Sequence, residues 1–119
     1  MTSKQYAVCV TEAQEYTGRD AYISDLALSS MWGDLPEDDI PQARLAQLGR
    51  IYDAVHRSVK DIAAEAGISA RKMAIRFCIP QRTVENWCCS GESARQCPLY
   101  TRLMMQECLG IYAPDVDPF

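Results

Sequence analysis

One short stretch restricts this chain more than any other. Residues 76–87 read RFCIPQRTVENW. Pro80 has no backbone N–H and fits only the start of a helix. A helix must therefore end before it and another begin at it. Upstream, Ser69 can cap the first of these helices, with Met73, Ala74 and Phe77 inward. Downstream, Val84 and Trp87 lie three apart and anchor the second. Two helices of about eight residues, joined by a turn of roughly three or four, form a helix-turn-helix. That geometry needs a small residue at the crossing, supplied by Ala74, and an apolar plug in the turn, supplied by Ile79.

The rest of the chain reads mainly as helix, so the expected fold class is all-α. The segment 41–66 carries Leu45, Leu48, Ile51, Tyr52, Val55, Val59, Ile62, Ala63 and Ala66 on one stripe. It reads as one long helix, roughly 39 Å at 1.5 Å per residue, with Pro41 in its first turn, Gly49 as a weak point and Gly67 as its C-terminal cap. An earlier helix is expected over 19–32, with Ile23, Leu26, Ala27 and Met31 inward and Gly33 and Pro36 ending it. QYAVCV near the N-terminus alternates Tyr6, Val8 and Val10 against Ala7 and Cys9, which is the pattern of a short strand. An unpaired arm is the other reading of it. After the loop CCSGESARQ, Pro98 opens a last helix with Leu99, Leu103, Met104 and Cys108 or Leu109 inward and Gly110 as cap. The expected division is an N-terminal extension over 1–40, a helix-turn-helix domain over 41–110 and an irregular tail over 111–119. The 119 residues suffice for one ordinary core.

Charge is unevenly spread. Residues 1–67 hold six basic and eleven acidic side chains, residues 68–110 six basic and three acidic, and the tail adds Asp115 and Asp117. The positive segment, a net +3, coincides with the helix-turn-helix pattern within a chain of net −4. The cluster Asp34, Glu37, Asp38 and Asp39 reads as a solvated, helix-capping loop.

Six cysteines, at 9, 78, 88, 89, 97 and 108, suggest neither a disulfide framework nor zinc. MTSKQYAVCV, with one lysine and a short apolar stretch, is not expected to act as a signal peptide, and the spacings lack paired C-x2-C ligands. Reduced thiols in a cytoplasmic protein are expected, with no metal and no cofactor. No apolar run approaches the roughly 18 residues of a membrane span. No Ser/His/Asp pattern, phosphate-binding glycine loop or zinc-protease motif is present, so no catalytic residue is assigned and the chain is not expected to be an enzyme. The one histidine, His56, lies off the stripe by a position, as a solvated residue does. Cys88 lies at the C-terminal end of a helix, whereas helix N-termini favour thiolates.

MAIRFCIPQRTVENWCCSGE followed by CPLYTRLMMQECLG resembles the helix-turn-helix domain of the phage-repressor (Xre/Cro-like) superfamily, in a form met in small proteins of gut Firmicutes and their mobile elements. The resemblance covers roughly residues 45–110. It implies a repressor-like helical bundle and a second helix, 80–88, that lies in the major groove of double-stranded DNA. Carried over by position, Gln81, Arg82, Thr83 and Asn86 would meet bases. Arginine can pair bidentately with guanine, and glutamine or asparagine with adenine. Arg71, Lys72 and Arg95 would meet phosphates, and Glu85 would orient Arg82 or repel DNA. The chain departs from the family at Cys78, where a glycine is common because φ is positive there.

The implied function is a sequence-specific transcription regulator, a homodimer on a two-fold operator, with 41–66 and the acidic N-terminal segment as dimer or effector surface. The alternative is a protein-binding module of a mobile element, of the anti-CRISPR or antirepressor type, whose acidic residues mimic phosphates toward a basic partner.

Overall fold

Capping residues divide this chain more finely than its hydrophobic stripes suggest. The computed structural model describes residues 1–33, 40–89 and 97–117. These form seven α-helices and one 3-10 turn, with no strand among the described residues. The helices are α1 (Ser3–Glu15), α2 (Arg19–Ala27), α3 (Gln42–His56), α4 (Val59–Ala66), α5 (Ala70–Phe77), α6 (Gln81–Cys88) and α7 (Leu99–Cys108). The fold class is all-α. The acidic cluster Asp34, Glu37, Asp38 and Asp39 lies outside the described residues, and so does Arg95.

The chain divides into two compact units. The first comprises Met1–His56 with Pro114–Phe119, and the second Arg57–Ala113. The division thus falls between His56 and Arg57, not at residue 40. The tail from Pro114 onward also belongs to the first unit. There Gln47 donates to the Asp115 carbonyl at 2.9 Å, and the Asp117 N–H donates to the Met1 carbonyl at 2.9 Å.

In the first unit the expected strand is a helix. Thr2 and Gln5 form a reciprocal capping box, at 2.9 and 3.1 Å, that nucleates α1. Cys9 and Ala13 are buried, four residues apart, while Val8 is 43% exposed. Alternation over six residues had mimicked a strand because that window stops before Ala13. α2 ends at Ala27, short of the expected 32. Ser29 starts a separate 3-10 turn, Ser30–Trp32, by accepting from the Met31 N–H at 3.4 Å. The Trp32 indole N–H donates to the Leu26 carbonyl at 2.7 Å and holds that turn against the helix end.

α3 packs on both α1 and α2. Its buried face is Leu48, Gly49, Ile51, Tyr52, Ala54 and Val55. Gly49 does not break the helix. It admits the Arg19 guanidinium, which a Cβ at 49 would strike, and Arg19 Nε reaches Asp53 Oδ1 at 2.9 Å. Tyr22, which the stripe did not single out, is fully buried and donates its hydroxyl to the Cys9 carbonyl at 2.8 Å. Rings continue from Tyr16 to Tyr22 to Tyr52, where the His56 imidazole stacks at 4.1 Å. His56 Nε2 donates to the Ala13 carbonyl at 2.8 Å.

The long helix expected over 41–66 is two helices. Ser58 adopts an extended conformation (φ −76°, ψ 167°) and forms a capping box with Asp61. Each of its two hydrogen bonds measures 3.1 Å. The stripe runs through the break because both helices bury an apolar face, each within its own unit.

The core of the second unit is Val59, Ile62, Ala63, Met73, Ala74, Val84, Cys97 and Met105. Gly67, at φ 69°, ends α4, and the Ile68 N–H bonds back to the Ala63 carbonyl at 3.0 Å. α7 buries part of the expected face, with Leu109 packed on the core and Leu99 and Leu103 half-buried, but it is turned from the expected orientation. Met105 and Gln106 are buried, whereas Met104 is 63% exposed and Cys108 is exposed. A polar network sets this rotation. Arg57 Nη1 donates to Gln106 Oε1 at 2.9 Å, Gln106 Nε2 to the Arg102 carbonyl at 3.3 Å, and Arg102 Nη1 to the Arg57 carbonyl at 2.8 Å. Satisfied amide and guanidinium groups can be buried, so apolar periodicity alone misassigns the helix face.

Candidate nucleic-acid interface

α5 ends on Cys78, the one non-glycine among the described residues with positive φ (φ 54°, ψ 43°). The left-handed residue lets the Ile79 N–H bond back to the Ala74 carbonyl at 3.0 Å. Ile79 then packs against the core as the plug of the turn. Cys78 thus takes on the glycine-like conformation itself. An L-residue there costs roughly 1–2 kcal/mol.

Pro80 leads into α6, whose Thr83 N–H bonds to the Pro80 carbonyl at 2.9 Å. α6 packs on α5 and α4. Val84 is fully buried, and Trp87 and Cys88 pack against the same core. Fixing Val84 inward turns Gln81, Arg82, Glu85 and Asn86 to solvent, and leaves Thr83 half-buried. The base-reading candidates Gln81, Arg82 and Asn86 are therefore exposed together on one helix, with Thr83 at its edge. No side chain caps the N-terminus of α6.

Of the two roles expected for Glu85, orienting Arg82 or repelling DNA, the first is not the one its hydrogen bond serves. Glu85 accepts from Gln81 Nε2 at 2.9 Å, an i, i+4 pair along the outer face. Arg71 and Lys72 are exposed in the first turn of α5. Cations there oppose the helix dipole, at a cost of about 0.3–1 kcal/mol each. Arg76 is exposed on the same helix and its Nη2 reaches the Cys108 carbonyl at 3.4 Å. Arg102, though counted in the positive segment, is held inward by the Cys97 and Arg57 carbonyls. Burial lowers its pKa.

The charges sort by unit. Four basic and eleven acidic side chains belong to the first, eight basic and five acidic to the second, so −7 against +3. The unit that carries α6 is the positive one.

All six cysteines are free. Burial pushes the Cys88 and Cys97 thiols up. Among the described residues no three His, Cys, Asp or Glu side chains could hold a metal ion, and no helix is long and apolar enough to cross a membrane. Sequence reasoning missed three exposed apolar side chains in this unit, Ile75 (68%), Tyr100 (70%) and Met104 (63%). Ile75 lies one position from Ala74 on α5. Tyr100 and Met104 are set outward by the polar network of Arg102 and Gln106, which hydropathy does not register.

No family model, no curated protein and no solved structure matches this chain.

Proposed function

We propose that this chain is a sequence-specific DNA-binding regulator of the repressor type, with α6 in the major groove of double-stranded DNA. The observation that carries the reading is the pairing of a buried Val84 with an outward edge of Gln81, Arg82 and Asn86 on one short helix. These side chains offer the donors and acceptors that distinguish base pairs in that groove. Arg71 and Lys72 support it further. They stand where cations weaken their own helix, and a phosphate at that position would reverse the sign of the effect.

Selection of bound duplexes from a randomised pool, followed by titration of the enriched site, tests this. Arg82→Ala is expected to weaken the selected site by about 1–3 kcal/mol and relax one base preference, and Lys72→Ala to weaken all sequences alike and lower the salt slope by about 1. Absence of binding at about 100 µM protein in low salt, where even non-specific association occurs, removes the reading.

A second reading has one observation behind it. Glu85 stands on the same outer edge, and a carboxylate repels phosphate. A basic protein surface would suit that edge, as in a protein-binding module of the anti-CRISPR or antirepressor type. Glu85→Gln separates the two, because it strengthens DNA binding and weakens a basic partner.

A further inference from the structure

One hydrogen bond on the outer edge of α6 sets the direction of a side chain offered to solvent. Gln81 Nε2 donates to Glu85 Oε1 at 2.9 Å, and both residues are exposed. A carboxylate only accepts, so the nitrogen end of the Gln81 amide must be the end that faces it. Oε1 of Gln81 is thereby held on the side away from Glu85. An amide turned the other way would set two acceptors against each other.

The amide carries two N–H donors, and this bond uses one. The second N–H and Oε1 form a donor–acceptor pair whose order along α6 is fixed. Adenine offers the complement in the major groove, an N7 acceptor beside an N6 donor. Guanine offers two acceptors there, N7 and O6, and would set O6 against Oε1. We propose that Glu85 is a positioning residue, which aims Gln81 so that α6 takes adenine and rejects guanine at one base pair. The inference rests on the DNA reading of α6. In the free chain an exposed pair of this kind biases the amide only about twofold. The bond is charge-assisted, and exclusion of water by bound DNA deepens the bias. The carboxylate repels phosphate at every sequence alike, so it lowers affinity while it sharpens choice.

The full chain is titrated with duplexes selected from a randomised pool and with single-base variants of the selected site. The base pair whose preference disappears in Gln81→Ala is the one Gln81 reads, and it is expected to be A·T. Exchanging its adenine for guanine should weaken binding on the order of tenfold, and exchanging it for 7-deazaadenine, which lacks N7, roughly fivefold. Glu85→Gln keeps the side-chain length, but its end both donates and accepts, so Gln81 turns freely. This variant should bind every duplex more tightly, while its preference for adenine over guanine falls by roughly threefold or more. Tighter binding with poorer choice cannot come from unfolding. Glu85→Asp keeps a carboxylate one turn from Gln81 and should keep the preference. In a Gln81→Ala background, Glu85→Gln should change no base preference. The proposal is overturned by a Glu85→Gln variant with its adenine preference intact, or by a pair other than A·T under Gln81. It is overturned equally by a Glu85→Asp variant that chooses no better than Glu85→Gln, or by a loss of preference that persists without Gln81. Each of these results leaves the DNA reading standing, because specific binding is still measured. Absence of any binding by the unaltered chain removes both.

Discussion

Replacing Cys78 with glycine should stabilise the second unit. Cys78 sits at φ 54° and ψ 43° with its side chain exposed. A left-handed L-residue costs roughly 1–2 kcal/mol, from the approach of its Cβ to the following carbonyl oxygen. Glycine removes that term and adds about 0.5–1 kcal/mol of unfolded-chain entropy. Little apolar burial is lost with an exposed thiol. The net gain is therefore about 0.5–1 kcal/mol, or roughly 2–8 °C in the melting point of a small unit. The chain has two tryptophans, one in each unit. In a Trp32→Phe background, Trp87 fluorescence reports the second unit alone. Urea melts of that protein with and without Cys78→Gly give the difference. Cys78→Val, which adds β-branching at the same dihedral angles, should shift the midpoint the opposite way. A lowered midpoint for the glycine variant, at an unchanged slope, would refute the claim that residue 78 is strained.

Other perturbations test the architecture. Ser58→Ala removes the capping box that starts α4 and should cost about 1 kcal/mol, read by the same Trp87 melts. Val84→Ala opens a cavity behind the exposed edge of α6 and should cost about 2 kcal/mol of stability; in variants still folded, binding should fall because the edge is no longer held rigid. Burial raises the Cys9 thiol to about 11, from the ordinary 9.0. The unfolded chain then ionises first, so the first unit should hold its stability below pH 9.0 and lose it as pH climbs toward about 11. Cys9→Ala should flatten that window up to about pH 10.0, above which the buried Tyr22 hydroxyl, also pushed up by burial, still costs stability, as measured by urea midpoints from Trp32 fluorescence in a Trp87→Phe background.

The proline and the apolar anchors made the α5–turn–α6 unit legible, because local sterics decide such features. Pro80 dictates a helix start, Ala74 is small where α6 packs, and Val84 and Trp87 face inward whatever surrounds them. The positive φ at Cys78 was expected only through the resemblance, in which a glycine is common at that turn position.

Elsewhere local chemistry was overruled or overlooked. Ser58 and Asp61 wrote a helix start into the sequence, but an unbroken stripe on either side concealed it. The strand pattern at Tyr6–Val10 lost to a helix because Cys9 and Ala13 could be buried together only at a spacing of four. The face of α7 depended on Arg57, more than forty residues from Gln106, whose amide it satisfies. Hydropathy scores a residue by its own side chain. Burial of Arg102 and Gln106, and with it the exposure of Tyr100 and Met104, depends on partners that only folding brings within reach. The sequence by itself determined the helical class, the turn and the outward edge of α6. The tertiary structure decided which way α7 turns, because that follows from hydrogen bonds between residues far apart in the chain.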